Sequence, residues 1–244
     1  MVIFFIAKAL ELITESRFCD RIPEMIIERA IENLRSRKVS FDIDNTVVDT
    51  YGRAVDVYNW FLGTNYRIAD VKSNWQLAEW FKNDTSVEDP LAAARNFYNS
   101  RVVMVQANPV AGAISILSRI HKARLNPYFL SARPGSKRPL TFEWFGYWTP
   151  WFDRNSFLLQ EEGDQVNPGF KVESINSQCI DYHFEDIPED ATIIHNNTQA
   201  TIVMVNQPWN QDFSLDSRFI RSTDPKSMSS LAYAFLELAK SLQQ

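Results

Sequence analysis

The stretch Lys38-Val39-Ser40-Phe41-Asp42-Ile43-Asp44-Asn45-Thr46-Val47-Val48-Asp49-Thr50 is the part of the chain that states a chemistry. A short extended run ends in Asp42 and Asp44, and Asn45-Thr46 then turn the chain. Residues i and i+2 of a strand point to the same side, so a strand ending here sets both carboxylates on one face at its carboxyl end. In open α/β sheets that end is where ligands bind. Two carboxylates so close repel each other unless a cation sits between them or one keeps its proton. Either solution suits catalysis, because one Asp can attack an electrophile while the other carries a proton to or from the leaving group. The same residue types also favour turns and helix caps. Read alone, the stretch is equally a polar turn that caps the next helix.

Composition narrows the choice. A chain of 244 residues, 45% hydrophobic and 23% charged, suits one large globular domain or a domain with an insertion. Only 7 glycines are present, and neither Gly-rich phosphate-loop pattern occurs. The formal net charge of -5, with no strongly basic block, argues against a stable nucleic-acid partner but not against small phosphorylated ligands. Cys19 and Cys179 have no metal or redox spacing, so each is expected to be a buried reduced thiol, which suits a cytoplasmic protein. The apolar start, Met1 to Lys8, is too short to span a bilayer and lacks the marks of a signal peptide, so no membrane partner is expected.

Residues 1–38 read as an N-terminal helical extension in two pieces, Val2 to Ile13 and a helix opened by Pro23. In the second, Ile27, Ala30, Ile31 and Leu34 form a stripe at helical spacing, while Arg35, Arg37 and Lys38 close it. Val39 to Ile43 is the first strand, weakened by Ser40 in what should be a continuous apolar run. Residues from about 47 to 107 are helical in pattern and crowded with aromatics, and read as a small inserted cap with its own core. Asn108-Pro109 should then start a helix. The strand Tyr128 to Leu130 ends at Ser131-Ala132-Arg133-Pro134, and a strand follows at Phe157 to Leu159. A polar loop from Glu161 to Gly169 precedes a helix from Lys171. The strand Cys179 to His183 ends in Phe184-Glu185-Asp186, Thr201 to Val205 forms another, and Asp224-Pro225 should start a closing helix. Strands alternating with helices predict an α/β fold, a parallel sheet with helices on both faces.

Three of these strands end in polar clusters, Asp42/Asp44, Ser131 and Glu185/Asp186, which a parallel sheet brings to one edge. The carboxylates suit a hard cation such as Mg²⁺, while the Ser131 hydroxyl and a lysine suit a phosphate. Lys171 is the best placed lysine and Lys137 its rival.

The order Asp42-x-Asp44-x-Thr46, Ser131, Lys171, Glu185-Asp186 resembles the four motifs of the haloacid dehalogenase (HAD) superfamily, over most of residues 39–244. Through Asp-Ile-Asp-Asn-Thr-Val-Val-Asp-Thr, Ser-Ala-Arg-Pro, Glu-Asp-Ile-Pro-Glu and Asn-Gln-Pro-Trp-Asn, the chain is most similar to the 5′(3′)-deoxyribonucleotidase-type phosphatases. The resemblance implies a three-layer Rossmann-like core with a helical cap inserted after the first strand. It implies Asp42 as a nucleophile forming an aspartyl-phosphate, and Asp44 as acid and base with its backbone carbonyl on the metal. Asp186 would bind Mg²⁺ with Glu185 beside it as a direct or water-mediated ligand, and Ser131 and Lys171 would hold the phosphoryl oxygens. The expected activity is Mg²⁺-dependent hydrolysis of a small-molecule phosphomonoester, a nucleoside or deoxynucleoside monophosphate. A sugar or other metabolite phosphate is the alternative substrate, and a non-catalytic ligand-binding protein the alternative class. Arg133 would reach the substrate or brace the acidic loop. Tyr51 and Trp75 are the candidates for stacking on a base, against a role in the cap core. Asp190 could cap or brace the site, Trp209 packs beside it, and His121, His183 and His195 are structural. Residues 1–38 and Ser40 depart from the family pattern.

Overall fold

The alternating pattern becomes, in a computed structural model, a parallel sheet sandwiched between helices. The structure describes residues 24–84, 86–160, 169–213, 216 and 218–243. The expected helix Val2–Ile13, Cys19, Pro23 and residues 161–168 of the polar loop lie outside the described residues. In chain order come α1 (Glu24–Asn33), β1 (Val39–Asp42), α2 (Thr50–Leu62), α3 (Gln76–Phe81), α4 (Pro90–Tyr98), α5 (Arg101–Met104) and α6 (Ala113–Lys122). They are followed by β2 (Tyr128–Ser131), α7 (Arg138–Trp148), β3 (Phe157–Leu159), α8 (Phe170–Gln178) and β4 (Tyr182–Glu185). The last are α9 (Pro188–Asn197), β5 (Thr201–Met204), β6 (Phe219–Arg221) and α10 (Leu231–Ser241).

The strands are ordered β3-β2-β1-β4-β5-β6, and every neighbouring pair is parallel. The registers Asp42↔Leu130 and Phe41↔Phe184 bring the carboxyl ends of β1, β2 and β4 to one edge. Side chains alternate between the faces. Phe41, Phe129, Phe184 and Val203 enter the main core with residues of α1, α6, α7 and α10, and Phe41 stacks on Phe184 at 4.6 Å. Leu130, Ile202 and Met204 pack on the other side against Ile175 of α8 and Ala191 and Ile194 of α9. By register and alternation Ser40, Asp42, His183 and Glu185 share this second face.

Between β1 and α6, helices α2 to α5 enclose a separate core of Tyr51, Val55, Tyr58, Leu77, Trp80 and Val103. Most of the aromatics there pack on one another, as in the stacking of Tyr66 on Trp80 at 4.1 Å. Asp49 caps α2 by accepting from Gly52 N at 3.1 Å, and Asp89 caps α4 in the same way.

Several boundaries differ from expectation, each for a local reason. Asn108-Pro109 does not open a helix, because Asp49 N donates to Asn108 O and Val110 N to Val47 O, closing the neck of the insertion. Helix α6 starts only after Gly112, whose φ is +79°. Strand β4 begins at Tyr182: Cys179 lies in the left-handed region at φ 51° where it ends α8, and its thiol is exposed. Asp224 caps a single 3-10 turn, Pro225–Ser227, and α10 is capped instead by Ser230. Helix α1 ends at Asn33, so Arg35 falls in the following 3-10 turn and Arg37 pairs with Asp181 at 3.4 Å. Strand β6 was not expected at all. Among the described residues no helix is long and apolar enough to cross a membrane.

Candidate functional site

Lys171 lies in the first turn of α8, against the sheet face that carries Asp42. Its buried Nζ is 2.7 Å from Asp42 Oδ1, 2.7 Å from Glu185 Oε2 and 2.9 Å from Asp190 Oδ2. An ammonium group has three donors, and here each meets a carboxylate. Burial pushes the Lys171 ammonium toward the neutral form, but Asp42, Glu185 and Asp190 outweigh it, so it stays charged with a raised pKa. Of the two candidate lysines, Lys171 is the one in ion-pair contact with the acidic cluster, and Asp190 braces it.

Arg133 does not point to open space. Its Nε and Nη2 donate to Asp44 at 2.8 and 2.7 Å, and Nη1 donates to Thr141 Oγ1 at 2.9 Å. Thr50 adds a 2.5 Å bond to the same Asp44 carboxylate. Burial pushes the Asp44 carboxyl up, yet the forked guanidinium and the Thr50 hydroxyl together hold it below its ordinary value. Arg133 is therefore the brace of Asp44. Ser131, buried at the end of β2, accepts from Arg133 N at 3.1 Å.

The third acidic strand end divides into two roles. Glu185 Oε1 accepts from the backbone N–H groups of Asp186 and Ile187 at 3.0 and 3.1 Å. Glu185 Oε2 is 2.7 Å from Lys171 Nζ and 3.3 Å from His183 Nε2. Burial raises the Glu185 carboxyl, but Lys171 and then His183 bring it down to about 2. Glu185 is thus a clamp on Lys171, and its carboxylate also stands within ligating range of Asp42 and Asp186. Asp186 is the contrary case. Its Oδ2 accepts from Trp209 Nε1 at 3.2 Å and Asn45 Nδ2 at 3.4 Å, while Oδ1 is buried with no hydrogen-bond partner.

A divalent cation fits these residues. Asp42, Glu185 and Asp186 offer carboxylate oxygens within 4.8 Å of one another, all buried. Burial, then repulsion from Glu185 and Asp42, pushes the Asp186 carboxyl well up; Asp42 is raised chiefly by burial, with Lys171 opposing and Glu185 and Asp44 adding to it. Five carboxylates (Asp42, Asp44, Glu185, Asp186, Asp190) share two cations, Lys171 and Arg133, leaving an excess of three negative charges. Hard oxygen donors with uncompensated charge suit Mg²⁺, and Asp42 with the unpartnered Asp186 Oδ1 are the donors in hand.

Several residues that build the site escaped the sequence reading. Asn45, at φ 57°, accepts from Tyr51 N at 2.8 Å and reaches Asp186 with its amide. Gln207 Nε2 donates to Asn45 O at 2.6 Å, and Asn210 Nδ2 to Asp186 O at 2.8 Å. Trp209 does more than pack, since its indole N–H orients Asp186. The Asn-Gln-Pro-Trp-Asn phrase was the available signal. Tyr51 is corrected as a stacking candidate: it is 3% exposed, set between Tyr98 and Trp209, and its hydroxyl accepts from Leu77 N at 2.9 Å. Trp75 is 49% exposed, with the Arg95 guanidinium over its ring at 5.5 Å.

No protein-family model matches the sequence, and no curated protein does. Among solved structures, a protein from Bacteroides vulgatus described as a beta-phosphoglucomutase is 13% identical, at a TM-score of 0.50 over 90% of this chain and 99% of its own. A protein from Lactobacillus delbrueckii subsp. bulgaricus described as a phosphoglycolate phosphatase is 14% identical, at a TM-score of 0.51 over 78% of this chain and 96% of its own. A HAD hydrolase of family IA from Entamoeba histolytica is 13% identical, at 0.49 over 84% and 99%. At these identities the first two likenesses establish a shared fold alone, a Rossmann-like α/β core.

Proposed function

We propose that the chain is a Mg²⁺-dependent phosphomonoesterase that works through an aspartyl-phosphate on Asp42. The observation that carries this reading is the convergence of Asp42, Asp44, Lys171 and Asp186 at the carboxyl edge of the sheet, with Lys171 Nζ 2.7 Å from Asp42 Oδ1. Bound at Asp42 and Asp186, Mg²⁺ would supply positive charge against the phosphoryl oxygens. Lys171 adds a second positive charge there, and Ser131 a hydroxyl donor. Phosphoryl transfer passes through a loose transition state, so positioning and charge neutralisation are what a protein must contribute. In the first step an Asp42 oxygen bonds to phosphorus while the ester P–O bond breaks, and Asp44 gives a proton to the leaving alkoxide. In the second, Asp44 takes a proton from water as the water oxygen bonds to phosphorus and the acyl phosphate bond breaks, freeing phosphate and Asp42. The Arg133 fork holds Asp44 ionised, the state needed as base. To act as acid, Asp44 must loosen from Arg133 and gain a proton.

The substrate is read as a small phosphorylated metabolite. The nucleoside monophosphate reading rests on sequence resemblance, and burial of Tyr51 removes one of its two stacking rings. A sugar or other metabolite phosphate is the second reading, favoured by the names of the two structures that share the fold. Purified protein with Mg²⁺ should release phosphate from at least one member of a panel of sugar phosphates, phosphoglycolate and nucleoside monophosphates. Chelation should stop it, and Asp42→Asn should lower kcat by about 10³-fold or more. Equal rates for Asp42→Asn and wild type would remove Asp42 from the mechanism.

A further inference from the structure

Two side chains beneath the site have no part in the steps above. Ser40 interrupts β1, and the register pairs it with His183 on β4. Both are fully buried. Ser40 Oγ lies 2.8 Å from His183 Nδ1, and His183 Nε2 lies 3.3 Å from Glu185 Oε2. The same Glu185 oxygen accepts from Lys171 Nζ at 2.7 Å, and Lys171 meets Asp42 at 2.7 Å. One unbroken chain thus runs from Ser40 through His183, Glu185 and Lys171 to Asp42.

The direction of each link follows from donor and acceptor capacity. Glu185, ionised against Lys171, can only accept, so His183 Nε2 carries the hydrogen. The imidazole is fully buried, and a neutral ring with Nε2–H has a bare Nδ1 that must accept. Ser40 is the donor it finds. An apolar residue at position 40, the usual filling of a buried parallel strand, would leave Nδ1 without a partner. Glu185 Oε1 is fixed by two backbone N–H groups, so Oε2 alone is divided between His183 and Lys171. The more of it His183 engages, the more of Lys171 is left for Asp42.

We propose that Ser40 and His183 are positioning residues: the Ser40 hydroxyl donates to Nδ1 and anchors the His183 ring, and His183 holds Glu185 so that Lys171 stays aimed at Asp42. This rests on the reading of Asp42 as nucleophile and Lys171 as its phosphate-binding partner.

The test combines a spectroscopic readout with kinetics. The chain has 3 histidines, so ¹⁵N-resolved imidazole spectra near neutral pH can be assigned by the signal lost in His183→Gln. Wild type should show His183 as the neutral Nε2–H tautomer, and Ser40→Ala should move its Nδ1 signal to that of a nitrogen accepting no hydrogen bond. With p-nitrophenyl phosphate and Mg²⁺, Ser40→Ala and His183→Phe should each lower kcat about tenfold with little change in KM. His183→Gln can still donate to Glu185 and accept from Ser40, and should retain more activity than His183→Phe. Thermal melts establish that each variant is folded; if one is not, the wild-type tautomer still decides. An Nδ1–H tautomer or an imidazolium at His183, or wild-type kcat in both Ser40→Ala and His183→Phe, would overturn the proposal. An active wild type with active variants sinks this inference alone. No turnover by wild type on any phosphate ester overturns the phosphatase reading and the positioning role with it.

Discussion

Asp49 carries a carboxyl that burial, and to a lesser degree Asp56, pushes up to about 6 against the opposing Gly52 N–H. A carboxyl raised in the folded state binds its proton more tightly there than in the unfolded chain. Stability therefore falls as pH rises from about 4, the unfolded value, through the folded one near 6. Asn caps helices as well as Asp does. Asp49→Asn should match wild type near pH 4 and exceed it at pH 8 by about 1–2 kcal/mol, the full linkage value being reduced for partial exposure. Denaturant melts at the two pH values check this, and a variant no more stable than wild type at pH 8 would refute it. The same kind of reasoning marks what could be read ahead of the structure. Asp42 and Asp44 were legible as a close carboxylate pair from their spacing alone, although the strand ends at Asp42, and Asp44 lies beyond it. Arg133 was legible only as a charge near a strand end, since its choice of Asp44 over a substrate depends on a contact 89 positions apart. Asn45 meets Asp186 from 141 positions away, and Trp209 and Asn210 from 23 and 24, gaps that no local pattern reports.

Helix and strand ends show where tertiary contacts override local preference. Asn-Pro is a sound helix start in isolation, yet Asn108 O and Val110 N are taken by Asp49 and Val47 at the neck, and the helix waits for Gly112. That glycine is required twice over. Its φ of +79° lies in the left-handed region, and a Cβ there would sit 2.4 Å from Ala232 Cβ at the start of α10. Gly112→Ala should therefore cost about 2–4 kcal/mol, from the backbone penalty and overpacking together. Adding Ala232→Gly should return the packing part and leave the backbone part. Denaturant titration of the single and double variants measures both, and a double variant no better than the single would place the clash elsewhere. Strand β4 was placed early for a related reason. Cys179 and Ile180 look like strand residues, but Cys179 closes α8 and Asp181 N is bonded to Lys38 O, so pairing begins only at Tyr182.

Taken whole, the molecule places a polar ladder on one face of an otherwise apolar sheet and a separate helical core above its carboxyl edge. The parallel sheet was legible from the alternation of strands and helices. Strand β6 was not, because Phe219–Arg221 is three residues long with no apolar run to mark it. The cap is the part whose chemistry the fold least determines: its aromatics are mostly consumed by their own packing, and Trp75 is the proposed stacking ring that stays exposed. The bond-breaking end is better determined, because Lys171 ties Asp42, Glu185 and Asp190 into one buried network and Arg133 holds Asp44. The central element of the proposed mechanism is an acyl phosphate on Asp42. Quenching a Mg²⁺-containing turnover mixture with borohydride reduces an aspartyl-phosphate to homoserine, which peptide mass spectrometry locates. The expected result is homoserine at position 42, formed only with both substrate and Mg²⁺ present. Phosphate release with position 42 unmodified, or homoserine at another carboxylate, would contradict it.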